Sequence, residues 1–267
     1  MMRRSLSVGF ALAFVVSSVW GGPAKTHVIA SRSVGSPNEG HLEGAVRLVP
    51  SESLRFVPST TGTNAQWGSR ALVDLLSRVS RAVARDYPKT RASVGHLSLE
   101  HGGDILGHAS HESGRDVDVA FYVLGKNKKQ AYPEGYVKFD GAGNSTSVKG
   151  YVFDDAKNWA FVKHLLNDGQ VGVQRVFVAS AIRARLLSYA KNSGEHADMV
   201  EKAASTLAEP ANVQPHDDHF HVRIGCPAGS NRCIENPKVQ KPAKPNGRMA
   251  GRKSAPSREQ SKRPVSP

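Results

Sequence analysis

The sequence predicts one α+β domain over about residues 34–235, built as a small antiparallel sheet flanked by helices and followed by a disordered basic C-terminal tail. Three observations predict it. Segments with apolar residues at helical spacing are mixed with short segments in which apolar and polar residues alternate. No internal repeat divides the chain. From Asn236 onward the composition shifts to Pro, Lys, Arg, Ser and Gly, with almost nothing to bury. The 267 residues suffice for one large or two small domains, and a hydrophobic content of 39% permits a real core.

The first residues, MMRRSLSVGFALAFVVSSVWGG, have the layout of a secretory signal peptide over 1–22. Arg3 and Arg4 form the basic start, an apolar run reaches from Leu6 to Trp20, and small residues follow. The run falls short of the ~20 continuous apolar residues that span a bilayer. The chain is therefore expected to be exported. Residues 23–35 read as unstructured, and the Gly/Pro/Ser-rich stretch from Ser36 as short strands and turns.

The spacing predicts a helix over 66–86, with Leu72, Leu75, Leu76, Val79 and Val83 on one stripe and Pro88 beyond its end. A short strand near 93–99, a glycine-rich loop and a strand over 117–124 follow. Residues 125–150 read as a long loop or hairpin. Helices over 158–168, 181–194 and 196–209 and strands over 175–180 and 219–224 complete the domain. Cys226 and Cys233 are the only cysteines, and in an exported chain they are expected to bridge. Closing that short loop stabilises by ~2.5 kcal/mol in the chain-entropy treatment.

Five of the eleven histidines fall in two short windows: His108 and His111, then His216, His219 and His221. In HFHVRI, Phe220, Val222 and Ile224 alternate towards the core, so His219, His221 and Arg223 share the other face. An H-x-H on a strand is a weak signal alone; a polar face carrying two histidines by chance gives the same pattern. In the first window Asp116 and Asp118 lie opposite the apolar residues Val117 and Val119, and Gly107 and Gly114 let the loop before them fold back. If the 117–124 and 219–224 strands pair, His111, Asp118 and His221 can meet around one Zn²⁺. Three protein ligands leave the open position that catalytic zinc sites keep. His219, on the same face as His221, is then placed as general base or to stabilise the transition state.

Other sites fit worse. HESGR lacks the second histidine of the helical H-E-x-x-H motif, no G-x-S-x-G elbow is present, and no G-x-x-x-x-G-K-[ST] offers a nucleotide site.

These residues carry a resemblance. G-H-A-S-H-x-S-G-x-D-V-D, followed by H-x-x-H-x-H-V-R-x-x-C-P-A-x-S-x-x-C, resembles the penicillin-insensitive murein endopeptidases. That family belongs with the lysostaphin-type peptidases, D-Ala-D-Ala carboxypeptidases and hedgehog domains. The resemblance covers about residues 34–235. It implies His111, Asp118 and His221 as zinc ligands and a catalytic role for His219. His108, His216 and Asp116 would line the cleft or support the ligands. A further metal in the family uses the histidine equivalent to His108 with a D-G-x-H segment; Asp140-Gly141-Ala142-Gly143 is the nearest match and its last residue is not histidine, so one Zn²⁺ per chain is expected.

The implied function is zinc-dependent hydrolysis of peptidoglycan cross-links, D-alanyl–meso-diaminopimelyl and diaminopimelyl–diaminopimelyl bonds, by metal-activated water in the periplasm. A D,D-carboxypeptidase that trims terminal D-Ala and a non-catalytic zinc-containing wall-binding domain stand as alternatives. Arg115 and Arg223 are candidates to meet a substrate carboxylate, but each is more often a solvated surface charge and is read so. Nine Lys/Arg against Glu259 in residues 236–267 account for +8 of the net +13, so the domain itself is mildly basic. That tail suits anionic envelope polymers, and an exported chain leaves no role for nucleic acid.

Overall fold

The computed structural model describes residues 30–211 and 214–235. The signal-peptide and basic-tail expectations lie outside the described residues. The chain opens on a hairpin of β1 (Arg32–Ser36) and β2 (Glu39–Glu43). Part of the stretch expected to be unstructured is therefore a strand, held by a second set of partners: Gly35 N–H donates to the Arg232 carbonyl (2.9 Å), and Ile234 N–H to that of Gly35 (2.9 Å). Those partners lie almost two hundred residues away, where no local pattern reveals them.

Strands β3 (Val46–Arg47), β4 (Leu54–Phe56) and β5 (Trp67–Gly68) lead into helix α1 (Arg70–Asp86). The expected apolar stripe of α1 is buried. The helix starts four residues later than its periodicity suggests because Ser69 caps it, accepting from Leu72 N–H at 3.3 Å. Strands β6 (Ala92–Val94), β7 (Asp116–Ala120), β8 (Val123–Leu124), β9 (Gln130–Ala131) and β10 (Val152–Phe153) follow. Helix α2 (Asp155–Leu166) begins three residues early because Asp154 is its cap, accepting from Lys157 N–H at 3.2 Å. The remaining elements are β11 (Val173–Phe177), α3 (Ser180–Asn192), α4 (Ala197–Thr206), β12 (Leu207–Ala208) and β13 (His219–Ile224).

Six strands form the main sheet in the order β12-β11-β13-β7-β6-β4. Its centre is antiparallel, as expected, but both edges are parallel: β12 on β11 and β4 on β6. The sheet is therefore mixed. A parallel partner needs a crossover, and here α1 connects β4 to β6 while α3 and α4 connect β11 to β12. The expected 117–124 strand also breaks. It leaves the main sheet after Ala120, and Val123 and Leu124 join a separate sheet with β9 and β10.

The alternation read in the sequence sets the core. Val117, Val119, Phe220, Val222 and Ile224 are fully buried on one face of β7 and β13, under α2. Phe220 packs edge-on against Phe121 and stacks on Phe161. The opposite face carries the polar residues. In the antiparallel register His221 faces Asp118, and Arg223 faces Asp116. Cys226 and Cys233 form the expected disulfide, with Cα atoms 5.8 Å apart. Among the described residues no helix is long and apolar enough to cross a membrane.

Candidate metal centre

The loop before β7 brings His111 to the polar face of the sheet. Gly107 and Gly114 take positive φ (85° and 72°), as expected of a loop that folds back, and His111 itself sits at φ 76°. That conformation is costly for a side-chain-bearing residue. The surroundings hold it: His111 N–H donates to Asp116 Oδ2 (3.2 Å), and the Ser98 hydroxyl donates to the His111 carbonyl while accepting from Gly114 N–H.

His111, Asp118 and His221 are all buried and each offers a ligand atom within 4.8 Å of the others. Asp118 Oδ1 lies 3.3 Å from His111 Nε2 and 3.5 Å from His221 Nδ1. Each imidazole is turned by a partner on its other nitrogen. His111 Nδ1–H donates to the Leu97 carbonyl (2.7 Å), which can only accept, so Nε2 carries the free lone pair. His221 Nε2–H donates to Asp116 Oδ1 (3.1 Å), leaving Nδ1 free. His111 Nε2 and Asp118 Oδ1 are buried without a hydrogen-bond partner. Two lone-pair atoms facing one another in a buried site are unfavourable unless a proton or a metal cation joins them; burial opposes a charged His111, but the Asp118 carboxylate raises its pKa, so a proton does this when no metal is bound. The N, O, N donor set and its oriented imidazoles fit a divalent zinc-type ion.

Asp116 is the support for this arrangement. It accepts from His111, from His221 and from Arg223 Nε at 2.6 Å. Burial opposes its charge, but the Arg223 guanidinium and the His221 contact hold its carboxyl far below the usual range. Arg223 is thus buried against Asp116 rather than solvated. Arg115 is also buried, at 0% exposure, and donates to the carbonyls of Ile224 and Ile234. The reading of both as surface charges fails because their partners come from another strand and from the chain's far end.

His219 stands beside the three. Its Nδ1–H donates to Asp218 Oδ1 (2.5 Å), which points Nε2 at Asp118 Oδ1, 3.4 Å away. The Tyr136 ring packs on its face with centroids 4.9 Å apart. Tyr136 in turn fills space that only Gly95 leaves: a Cβ there would meet its hydroxyl at 1.6 Å. Burial disfavours a charged His219, but Asp118 and Asp218 outweigh it and push its pKa up to about 10. His108 and His216 line a cavity of about 300 Å³ together with Asp118, His219 and His221. Burial, reinforced by the neighbouring histidines, pushes both down to about 3. The expected cleft residues are therefore gathered with the three buried ones. Gly143 takes φ 80°, which strains any side-chain-bearing residue, and a Cβ there would meet the Arg185 guanidinium at 2.6 Å, so a histidine would require Arg185 to move.

These shifts have opposite signs. His108 and His216 take up protons more readily when unfolded, so their contribution is complete above the ordinary imidazole value of about 6.5 and is lost as pH falls towards 3. The raised His219 contributes fully below about 6.5 and loses its share as pH rises towards 10. The melting temperature of metal-free protein is therefore expected to peak near pH ~6.5. A midpoint that climbs steadily from acid to alkaline buffer contradicts this.

Asp218, Tyr136 and His96, whose Nδ1 lies 3.0 Å from His108 Nε2, are the site residues that sequence reasoning missed. Asp218 stands next to His219 in PHDDHFH and was legible there as an acid beside the catalytic candidate. Tyr136 and His96 are isolated in loops and carry no such signal.

The sequence profile described as penicillin-insensitive murein endopeptidase matches residues 33–266. The match extends through the basic tail, beyond the 34–235 over which the motifs are recognisable. Proteins named penicillin-insensitive murein endopeptidase align along most of their length. One from Pectobacterium atrosepticum is 28% identical over 241 residues, covering 86% of this chain and 79% of the relative. One from Escherichia coli O157:H7 is 29% identical over 216 residues, covering 78% and 71%. One from Salmonella arizonae is 28% identical over 218 residues, covering 79% and 73%. With a buried His/Asp/His triad on the polar face of β7 and β13 and a family match over most of its length, the chain belongs to the penicillin-insensitive murein endopeptidase family.

Proposed function

We propose that this protein is an exported, periplasmic zinc endopeptidase that hydrolyses peptide cross-links in peptidoglycan. His111, Asp118 and His221 would hold the ion. The observation that carries this reading is the orientation of the two imidazoles: each gives its N–H to a fixed acceptor, so both bare nitrogens face Asp118. Family membership and the names of the relatives support murein as the substrate.

When bound, the ion supplies Lewis acidity to the scissile carbonyl and makes water a usable nucleophile near neutral pH. The protein's own residues do the rest. Asp116 keeps the proton on His221 Nε2. Asp218 keeps one on His219 Nδ1, so that Nε2 faces the cavity. There, uncharged, it takes a proton from the attacking water; charged, it donates to the oxygen on which negative charge develops. His219 is raised by Asp118 and Asp218, and its titration would move closer to neutral pH if the Asp118 charge were offset by a bound cation. Both D-alanyl–meso-diaminopimelyl and diaminopimelyl–diaminopimelyl bonds are proposed targets.

Mature protein incubated with cross-linked muropeptide dimers is expected to yield monomers, to stop in chelator and to recover with Zn²⁺. Conversion of pentapeptides to tetrapeptides with dimers untouched would instead identify a D,D-carboxypeptidase. Retained wall binding with no product from either substrate would identify a binding domain. The +8 tail is proposed to hold the enzyme near anionic envelope polymers. Removing residues 236–267 should then weaken binding to isolated walls at low salt but not at high salt, and equal binding with and without the tail rejects the idea.

A further inference from the structure

We infer that His96, His108 and Asp118 form a second divalent-cation site, joined to the first through the two oxygens of one carboxylate. It rests on the reading of His111, Asp118 and His221 as the first site, and it adds two residues that reading does not use as ligands. One ligand atom from each of His96, His108 and Asp118 lies within 4.8 Å of the others. His96 Nδ1 and His108 Nε2 are 3.0 Å apart, and the two rings meet edge to face with centroids 4.8 Å apart. Asp118 divides its oxygens. Oδ1 faces His111 and His221, while Oδ2 faces His108 Nδ1 at 3.7 Å.

The backbone fixes this meeting. Gly95 N–H donates to the Asp118 carbonyl (2.8 Å), and Asp118 N–H donates to the His96 carbonyl (2.9 Å). His96 is therefore registered against the very residue whose side chain it approaches. His108 comes from the same glycine-rich loop that delivers His111.

As a purely structural pair the two imidazoles are poorly satisfied. They share one proton, and whichever ring carries it, His96 Nε2 remains buried with no partner. The 3.7 Å from His108 Nδ1 to Asp118 Oδ2 is too long for a hydrogen bond. A cation in place of the shared proton would take the two facing nitrogens, His96 Nδ1 and His108 Nε2, with Asp118 Oδ2, which the first site leaves free, joining them once the His108 ring turns, because it is His108 Nδ1 that faces Oδ2 in this structure. Two imidazoles and a carboxylate suit zinc, cobalt or a similar borderline ion. Paired metals in hydrolases stand ~3.5–4 Å apart, a separation a bridging carboxylate can span. Two of these three ligands are only half-buried, whereas all three of the first group are buried, so water competes for the second ion and it should bind more weakly. It would place positive charge on the His108 wall of the cavity, where a substrate carboxylate or carbonyl can meet it.

The test is a cobalt titration of metal-free mature protein, followed by visible absorption and by metal analysis after equilibrium dialysis. Two ions per chain are expected at saturation. His96→Ala and His108→Ala should each bind one and keep the absorption of the first equivalent, whereas His111→Ala should lose that first band. His96→Gln, which preserves size, and thermal melts of the metal-free variants guard against misfolding; His108→Ala, whose ring lines the open cavity, decides the matter if neither His96 variant folds. Saturation of wild type at one ion, abolished by His221→Ala, overturns this inference and leaves the proposed function standing. Two ions retained in His96→Ala and His108→Ala also overturn it. No uptake by wild type overturns both.

Discussion

Replacing His221 with alanine is expected to lower muropeptide cleavage by roughly 10³-fold or more, since the Lewis acidity that the proposed ion would supply is worth several kcal/mol. Tight metal binding should disappear with it. His221 contributes Nδ1 to the triad and nothing to the buried apolar face of β13, whose Phe220, Val222 and Ile224 remain in place. The variant should therefore fold, and a circular dichroism spectrum like that of wild type should accompany the loss. Cleavage at the wild-type rate would remove His221 from the mechanism. His219→Ala makes a useful companion. It should keep the metal and lose turnover, because His219 approaches Asp118 without supplying one of the three donors.

The second large effect concerns stability. Asp116→Ala is expected to destabilise the fold by ~3–5 kcal/mol, the usual consequence of breaking a buried ion pair and leaving one charge uncompensated. Three donors lose their acceptor at once: the His111 backbone N–H, His221 Nε2 and the Arg223 guanidinium. That bond is one of those that hold His111 at its positive φ of 76°, so the loop should loosen as well. In urea the midpoint should fall well below that of wild type, and at ~2–4 °C per kcal/mol for a domain of this size the melting temperature should drop by roughly 10 °C. A loss below ~1 kcal/mol would show that Arg223 and His221 find other partners.

Much of this architecture was legible in the chain. The period of two in DVDVA and HFHVRI placed Val117, Val119, Phe220 and Val222 on one face and Asp118 with His221 on the other. Pairing β7 with β13 was then enough to bring them together. The α1 stripe was equally clear, because five apolar residues at helical spacing have no other use. What stayed hidden depended on contacts remote in sequence. Arg115 reaches the carbonyls of Ile224 and Ile234, and β1 binds next to Cys233. A charge reads as solvated until its distant partner is known. The parallel edges of the sheet are likewise a property of how α1, α3 and α4 cross, which periodicity does not encode. His96 was passed over because a lone histidine after a short strand looks like any other; only the register of Asp118 against the backbone of residues 95 and 96 gives it a neighbour.

Diffraction from crystals of zinc-loaded protein, recorded on both sides of the zinc absorption edge, tests the central claim most directly. The anomalous map should show a strong peak ~2.0–2.2 Å from His111 Nε2, Asp118 Oδ1 and His221 Nδ1. A map with no peak among those three atoms, or with the ion held elsewhere on the chain, would contradict it.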